Sequence, residues 1–509
     1  MDLSGEVALG HAETVGTPSF TTSDAIWLGI DLGTQSVRVL AVDESGKILG
    51  IGSHKLTSRR DGSRHEQDPD GWWTAVAAAS REAVKGLPTA MIRGLAVDAT
   101  SGTILLVDAE GRALTPGLMY DDGRAAEEVK QANAAGAAVW AELGYNRMQT
   151  SWGLPKLLWL LRDKPELVSG QLAHQSDFIN RRLVGRAVAT DTSNALKSGV
   201  HLIKEEWPKD VFDRLNIPGS MLPAVVRPGA KLGEICAAAS AETGIPAGTP
   251  VFAGMTDGCA AQIGAGALRP GSWNSVLGTT LVLKGVSTEM VRDPLGVVYS
   301  HRSPDGNWLP GGASSVGAGI LSKHFPDRDL EPLNQKVAGL VSNVVVYPLL
   351  AKGERFPFQA TEAEGFMLGT PSDEIDLYAT LLQGVGFVER LCFDYLDLIG
   401  APVGGELLLT GGGAKSHSWC QLRADTLGRP VSLPENAECA LGMAILAAAS
   451  GGKLTETAQR MVRIRERIEP TSERAGRLHE SYSKLVDELL RRGWIQPALA
   501  SHAHKRISR

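Results

Sequence analysis

The sequence predicts an α/β chain folded as two large domains of related plan. The chain has 509 residues, more than one hydrophobic core ordinarily organises. Apolar runs of strand length alternate with longer runs whose apolar residues recur at helical spacing. A strand, a Gly-Thr turn and a second strand also occur twice, as "GIDLGTQSVRVL" from Gly29 and "SVLGTTLVL" from Ser275.

The elements follow in order. Residues 1–24 read as a loose extension. Residues 26–55 read as three strands joined by two turns, the second at "VDESGKILG". A helix is predicted over residues 72–84 behind the start signal "DPDGWW". "IRGLAVDAT" is the next strand, ending at Asp98, and "TILLVD" another. A meander of hairpins followed by helix–strand alternation is not a plain βαβ repeat. "LPKLLWLLRD" is a strongly apolar helix. "GTPVFAGMTDGCAAQIGAGAL" begins as a buried strand and turns into a small-residue helix near Asp257. The domain boundary is expected between Gly266 and Ser272, giving domains of residues 25–266 and 267–455 and a C-terminal helix and tail over 456–509. In the second half Leu381, Val385, Val388, Cys392 and Leu396 mark a core helix. "GELLLTGGG" is a strand running into a helix through Trp419 and Leu427, and "ALGMAILAAAS" is a close-packed helix. An amphipathic helix is expected from Thr471 and Ser472 to residue 491, and a loose tail after Trp494.

Bulk properties exclude several classes. The net charge of -6 gives no basic footprint for nucleic acid or an anionic membrane. The 5 cysteines are scattered with no CxxC pair, which favours reduced thiols and a cytoplasmic location over a disulfide framework. No apolar stretch is long enough to span a bilayer, and the first residues lack the basic and apolar regions of a signal peptide. A homodimer is compatible with the chain, which leaves its oligomeric state open.

Five stretches could carry chemistry. Asp31 ends a buried strand and is followed by Gly33, Thr34, Gln35 and Ser36. The glycine lets backbone N–H groups approach an anion, and the carboxylate could hold a hard cation. A hairpin whose Asp caps its own turn explains the same residues equally well. Gly278 and Thr279 repeat the turn, and two such hairpins could grip phosphates from facing walls. Gly411, Gly412 and Gly413 precede a helix containing Ser416. That turn fits neither GxGxxG nor a P-loop, but it could let a nucleotide lie on the backbone. Asp257, between a strand and a helix, could be a helix cap or a base that takes a proton from an attacking hydroxyl. Asp98, Ser101, Tyr120, Asp122 and Arg124 lie just past strand ends and suit a polyhydroxylated ligand, or else a pair of capped turns.

Taken in order, these stretches resemble the FGGY carbohydrate kinase family over roughly residues 26–455. "GIDLGTQSVR" resembles its first phosphate motif. "GLMYDDGRA" resembles its W-x-D-x-R motif, with Tyr120 in place of Trp. "GMTDGCAAQIGAG" resembles its catalytic segment, "SVLGTTLVL" its second phosphate motif and "TGGGAKSHSW" its adenosine motif. "SWGLPKLLWLLRD" resembles a family signature, with Gly153 where Pro, Ser or Thr is usual. The resemblance implies two actin-like (ribonuclease H-like) domains about a deep cleft, with ATP and Mg2+ as cofactors. It implies Asp31 on Mg2+, and Gly33, Thr34, Gln35, Gly278, Thr279, Gly311, Gly412, Gly413 and Ser416 on ATP. Asp257 becomes the base, and Asp98, Ser101, Tyr120, Asp122 and Asp257 contact the sugar.

For the acceptor, Ser101-Gly102 stands where glycerol kinases typically carry Arg-Glu and xylulokinases Met-His. "DATSGT" with "MYDD" is similar to the ribulokinase-type branch, which implies phosphorylation of D-ribulose to D-ribulose 5-phosphate, with D-xylulose the runner-up. A non-enzymatic actin-like ATPase is the competing class; it would need the two hairpins but neither a base at Asp257 nor a sugar cluster.

Overall fold

The computed structural model describes residues 25–450 and 452–507; the N-terminal extension expected over 1–24 lies outside them. A six-stranded sheet organises the first half. Its strands are β1 (Ile26–Leu32), β2 (Ser36–Asp43), β3 (Ile48–Lys55), β4 (Ile92–Ala99), β5 (Lys231–Glu234) and β6 (Pro250–Phe252). They are ordered β5-β6-β4-β1-β2-β3. The hairpin strands pair antiparallel, while β4 runs parallel to β1 and β6 parallel to β4. Ile26, Leu28, Ile30 and Leu32 are fully buried, so β1 reads as a near-continuous apolar run, as a central strand covered on both faces must.

The second half repeats this plan. Its sheet contains β7 (Trp273–Leu277), β8 (Leu281–Gly285), β9 (Tyr299–Arg302), β10 (Trp308–Ala313), β11 (Leu407–Thr410), β12 (Val431–Pro434) and β13 (Ile464–Ile468), ordered β9-β10-β8-β7-β11-β12-β13. Each sheet thus has an antiparallel hairpin, β1–β2 or β7–β8, whose first strand also pairs parallel with a later strand, β4 or β11. The weak sequence echo is a shared topology. In the first sheet the turns after β1 and β4 lie side by side, and in the second those after β7 and β11 do. Ligands of open α/β sheets bind at such carboxyl ends.

Eight helices matter for the site and its support: α1 (Pro69–Val84), α2 (Gly153–Asp163), α3 (Asp257–Ala265), α4 (Glu374–Leu398), α5 (His417–Leu427), α6 (Cys439–Ala448), α7 (Ala475–Arg491) and α8 (Pro497–Ile507). A smaller five-stranded sheet, which includes Ile104–Val107 and Gly117–Leu118, extends the first half. Although α6 comes late in the chain, it packs on β1 of the first sheet and beside α3. Small residues permit the approach: a Cβ at Gly442 would lie 2.0 Å from the Ala260 carbonyl oxygen, and one at Gly264 2.6 Å from that of Glu438. With Leu40, Val42, Met255 and Ile263, α6 builds one buried cluster that joins the halves.

Two expectations change at the C-terminus. The tail after Trp494 is α8, with Leu499, Ala500 and Ala503 buried; its apolar face completes the core around α4. The preceding helix starts at Ala475, later than its sequence signal. The reason is that the Thr471 N–H and hydroxyl both donate to Asp425, at 2.7 and 3.2 Å, and Arg474 pairs with the same carboxylate. The start residues are spent on a tertiary contact rather than a cap.

Candidate active site

Three carboxylates stand at adjacent strand ends. Asp31 and Asp98 are register partners on the parallel strands β1 and β4, so their side chains leave the sheet on the same face. Thr256, which bridges to Ala99, delivers Asp257 in the first turn of α3. Donor atoms of Asp31, Asp98 and Cys439 lie within 4.8 Å of one another. Both Asp98 oxygens are buried and accept from no N–H or hydroxyl among the described residues, which leaves the Asp31 carboxyl as their hydrogen-bonding neighbour. Burial, helped by Asp257 and Glu438, pushes the Asp31 carboxyl up to about 6. Burial and then Asp31 and Asp257 hold Asp98 well above the usual carboxylate range. Facing carboxyls of this kind share protons until a cation separates them. Asp98, expected from sequence in the sugar cluster, therefore also faces Asp31, because the two are register partners.

This donor set suits a hard divalent cation bound through carboxylate oxygen. Such binding must displace protons from Asp31 and Asp98, so affinity for a divalent cation such as Mg2+ should fall as the pH is lowered, by up to about tenfold per pH unit for each proton displaced. Calorimetric titration of Mg2+ at pH 7.5 and 5.5 checks this, and equal affinities would break the assignment. In the cation-free protein the sign is reversed for stability. A carboxyl raised on folding favours the folded state at low pH, and that advantage is lost as pH climbs from the ordinary carboxylate range toward 6.

In both hairpins the turn glycine bonds back onto its own turn, three residues on in the first and two in the second. The Gly33 N–H donates to the Ser36 carbonyl at 3.1 Å, and the Gly278 N–H to the Thr280 carbonyl at 3.1 Å. Gln67 ties the first down by donating to the Thr34 carbonyl at 2.7 Å, while Gln35 and Thr279 are exposed. At the glycine run, a Cβ on Gly411 or Gly413 would collide with Leu277, at 2.7 and 2.5 Å, whereas nothing described lies within 4 Å of one on Gly412. Gly413 is thus a packing residue and Gly412 borders open space. Ser416, expected on adenosine, caps α5 by accepting from the Trp419 N–H at 3.3 Å. Gly311, expected on the nucleotide, is buried beneath Lys284: a Cβ there would come within 2.6 Å of Lys284 Cδ.

On the other side of Asp257 lies the polar cluster. Asp122 is fully buried and saturated, accepting from the His65 N–H at 2.8 Å and from Arg124 Nε and Nη2 at 2.9 and 2.7 Å. It holds its loop, and its lone pairs are not free for the sugar contact expected of it. Tyr120 is 41% exposed, enough to receive a ligand. Burial raises its hydroxyl pKa, as do Asp121 and Asp257, while Arg60 and Arg355 oppose. Ser101 has a buried hydroxyl without a described partner, and its carbonyl accepts from Lys197 at 3.2 Å.

Sequence reasoning missed the cations here. Lys156 sits fully buried in the apolar helix α2 and donates to the carbonyls of Gly102, Met119 and Leu118 at 2.6, 2.8 and 3.3 Å. It clamps the Ser101 and Tyr120 loops together; a lone lysine in an apolar helix was the available signal. Lys156→Met should raise KM for the sugar, because both loops lose their anchor. It should also lower stability by about 1–3 kcal/mol, the cost of leaving buried carbonyls without their donor. Steady-state kinetics and denaturant melts check both. Burial raises the Asp257 carboxyl above its ordinary value, against the Gly258 N–H, Lys197 and Lys284, which lower it. Lys197 itself is drawn down by burial to about 8.

Comparison with known proteins follows the same outline. Residues 26–264 match the N-terminal domain, and residues 273–451 the C-terminal domain, of the FGGY family of carbohydrate kinases. A xylulose kinase of Streptomyces coelicolor is 31% identical over 83% of this chain and 87% of its own length. One from Bacillus subtilis is 26% identical over 86% of this chain and 91% of its own. The crystal structure of xylulose kinase from Rhodospirillum rubrum superposes with a TM-score of 0.81 at 26% identity, covering 92% of this chain and 99% of that one. The shared fold is a pair of actin-like, ribonuclease H-like domains.

Proposed function

The chain belongs to the FGGY family of carbohydrate kinases, a phosphotransferase family, and from that premise we propose that it phosphorylates a terminal hydroxyl of a ketopentose, D-xylulose first. The observation that carries the transfer reading is the place of Asp257. It opens α3, and its carboxylate acts electrostatically on those of Asp31 and Asp98 and is itself acted on by Lys197 and Lys284. The choice of D-xylulose follows the relatives, which are xylulose kinases along most of their length. It replaces the D-ribulose preferred from sequence. D-ribulose stays the second reading because Ser101-Gly102 is not the Met-His pair typical of xylulokinases.

In this reading Asp257 accepts the proton of the attacking hydroxyl. Burial, by raising its basicity, makes that carboxylate a better acceptor. The acceptor oxygen forms a bond to the γ-phosphorus of ATP, the bond from that phosphorus to the β–γ bridging oxygen breaks, and ADP leaves with the electron pair. The backbone N–H groups of Thr34, Gln35 and Thr279, in turns closed by the Gly33 and Gly278 N–H groups, orient the phosphates, Gly412 borders the adenosine, and Tyr120 and Ser101 meet the sugar. Mg2+ on Asp31 and Asp98 supplies positive charge to the phosphate oxygens when bound. Among the described residues no helix is long and apolar enough to cross a membrane, and all 5 cysteines are free thiols, which supports a cytoplasmic site of action.

The test is ADP release from Mg-ATP with D-xylulose, D-ribulose, L-xylulose, L-ribulose, ribitol, glycerol and a no-sugar blank. Turnover led by D-xylulose is expected. Turnover led by D-ribulose moves the acceptor to the second reading. Release that ignores every sugar favours the actin-like ATPase instead.

A further inference from the structure

Lys284 is a buried cation that faces an aromatic ring and lacks a hydrogen-bond partner among the described residues. It lies on β8, is 6% exposed, and its Nζ has no hydrogen-bond partner among the described residues. Its stem crosses Gly311, and its Cε lies 3.6 Å from where a Cβ of Gly258, the residue after Asp257, would stand. Its Nζ is 5.1 Å from the Tyr299 ring centre. Lys197, brought from the first half by the turn after Thr192–Ala195, holds its own Nζ 5.8 Å from the same ring. His301, two residues beyond Tyr299 on β9, is kept neutral: burial pushes its pKa well down, and Lys284 and Lys197 add to the push. Two ammonium groups from opposite halves of the molecule therefore approach one aromatic ring, and both act on the carboxylate of Asp257.

Burying an ammonium without a partner opposes folding by several kcal/mol. Unpaired polar groups of this kind are kept where a ligand completes them. The missing partner must be anionic and must arrive next to Asp257. We propose that Lys284, with Lys197, forms an oxyanion subsite that receives the non-bridging oxygens of the phosphoryl group as it passes to the acceptor hydroxyl, and that it holds the same oxygens on the sugar phosphate product. This rests on the kinase reading and adds to it a residue outside every expected motif. The same chemistry could be supplied by a carboxylate on the acceptor, a sugar acid, and the experiment separates the two sources.

The experiment uses the full chain and Lys284→Met, which keeps the stem and removes the charge. With Mg-ATP and the ketopentose, kcat should fall about 10²–10³-fold, the loss expected on deleting one donor to a developing oxyanion. KM for ATP should change less than about threefold, since the subsite is engaged by the phosphoryl group in transit. The melting temperature should hold or rise, because an unpaired buried charge has gone. Calorimetric titration of orthophosphate in the presence of Mg-ADP should show affinity at least about tenfold weaker in the variant. Unchanged kcat together with unchanged orthophosphate affinity overturns the proposal. So does selective loss of turnover on D-xylonate with ketopentose turnover intact, which would assign the lysines to an acceptor carboxylate. If Lys284→Met does not fold, Lys284→Gln takes its place under the same criteria. A wild type that phosphorylates no ketopentose, yet shows the orthophosphate difference, defeats the acceptor reading and leaves the subsite standing.

Discussion

Asp257→Asn is expected to lower kcat by about 10²–10⁴-fold, the range that a positioned general base contributes, while Mg-ATP still binds. Asparagine keeps the size of the side chain and can still accept from the Gly258 N–H, as Asp257 Oδ1 does at 2.7 Å. What it cannot do is take a proton. The change also removes the negative charge that faces Lys197 and Lys284 and that raises the carboxyls of Asp31 and Asp98. The variant should therefore bind Mg2+ at slightly lower pH than the wild type while failing to transfer. Single-turnover transfer measured beside calorimetric ATP affinity separates these effects. Full activity in the variant would remove Asp257 from the chemistry, and joint loss of ATP binding would make it a structural cap.

The second large effect lies outside the chemistry. A Cβ on Gly29 would stand 1.7 Å from the Ala440 carbonyl oxygen and 2.7 Å from the Ala444 backbone nitrogen. These are helix backbone atoms, so no side-chain rotation relieves the contact; α6 must move as a body. Gly29→Ala should destabilise by about 3 kcal/mol or more, at or above the upper end of ordinary overpacking in a core. It should weaken Mg2+ binding as well, because α6 begins at Cys439 beside Asp31 and Asp98, and Glu438 before it pairs with Arg38 at 2.6 Å. Thermal melts and Mg2+ titration of the purified variant provide the check; a wild-type melting curve would mean that the helix shifts without loss.

Much of the architecture was legible because it depends on local pattern. Strand alternation and turn residues placed β1, β2 and β3, and apolar spacing placed α4 and α6. Glycine after a strand-terminal acid pointed to Asp31 and Asp257, since that combination leaves a carboxylate uncovered at a strand end. Several candidate residues also have tertiary partners that local pattern does not show. Asp98 was assigned by its neighbours in sequence, Ser101 and the "MYDD" loop, yet β1 and β4 pair in register and turn it toward Asp31. Asp122 carried the expected motif, but His65 and Arg124 consume its oxygens. Ser416 and Gly413 carried theirs too, and are spent on a helix cap and on packing against Leu277.

Lys156 and Lys284 mark the boundary between the two kinds of knowledge. Each sits in a plain apolar stretch, where periodicity states only that a position faces inward, not what it will meet there. The sequence alone determined the class of fold, its two-part plan, the order of the glycine turns and the acids at the ends of strands. All of these follow from interactions within a few residues. The tertiary structure alone decided which acids share a face, which polar groups are saturated and which cations act on Asp257. Those properties depend on strand register and on contacts between segments far apart in the chain, as between Lys197 and Lys284.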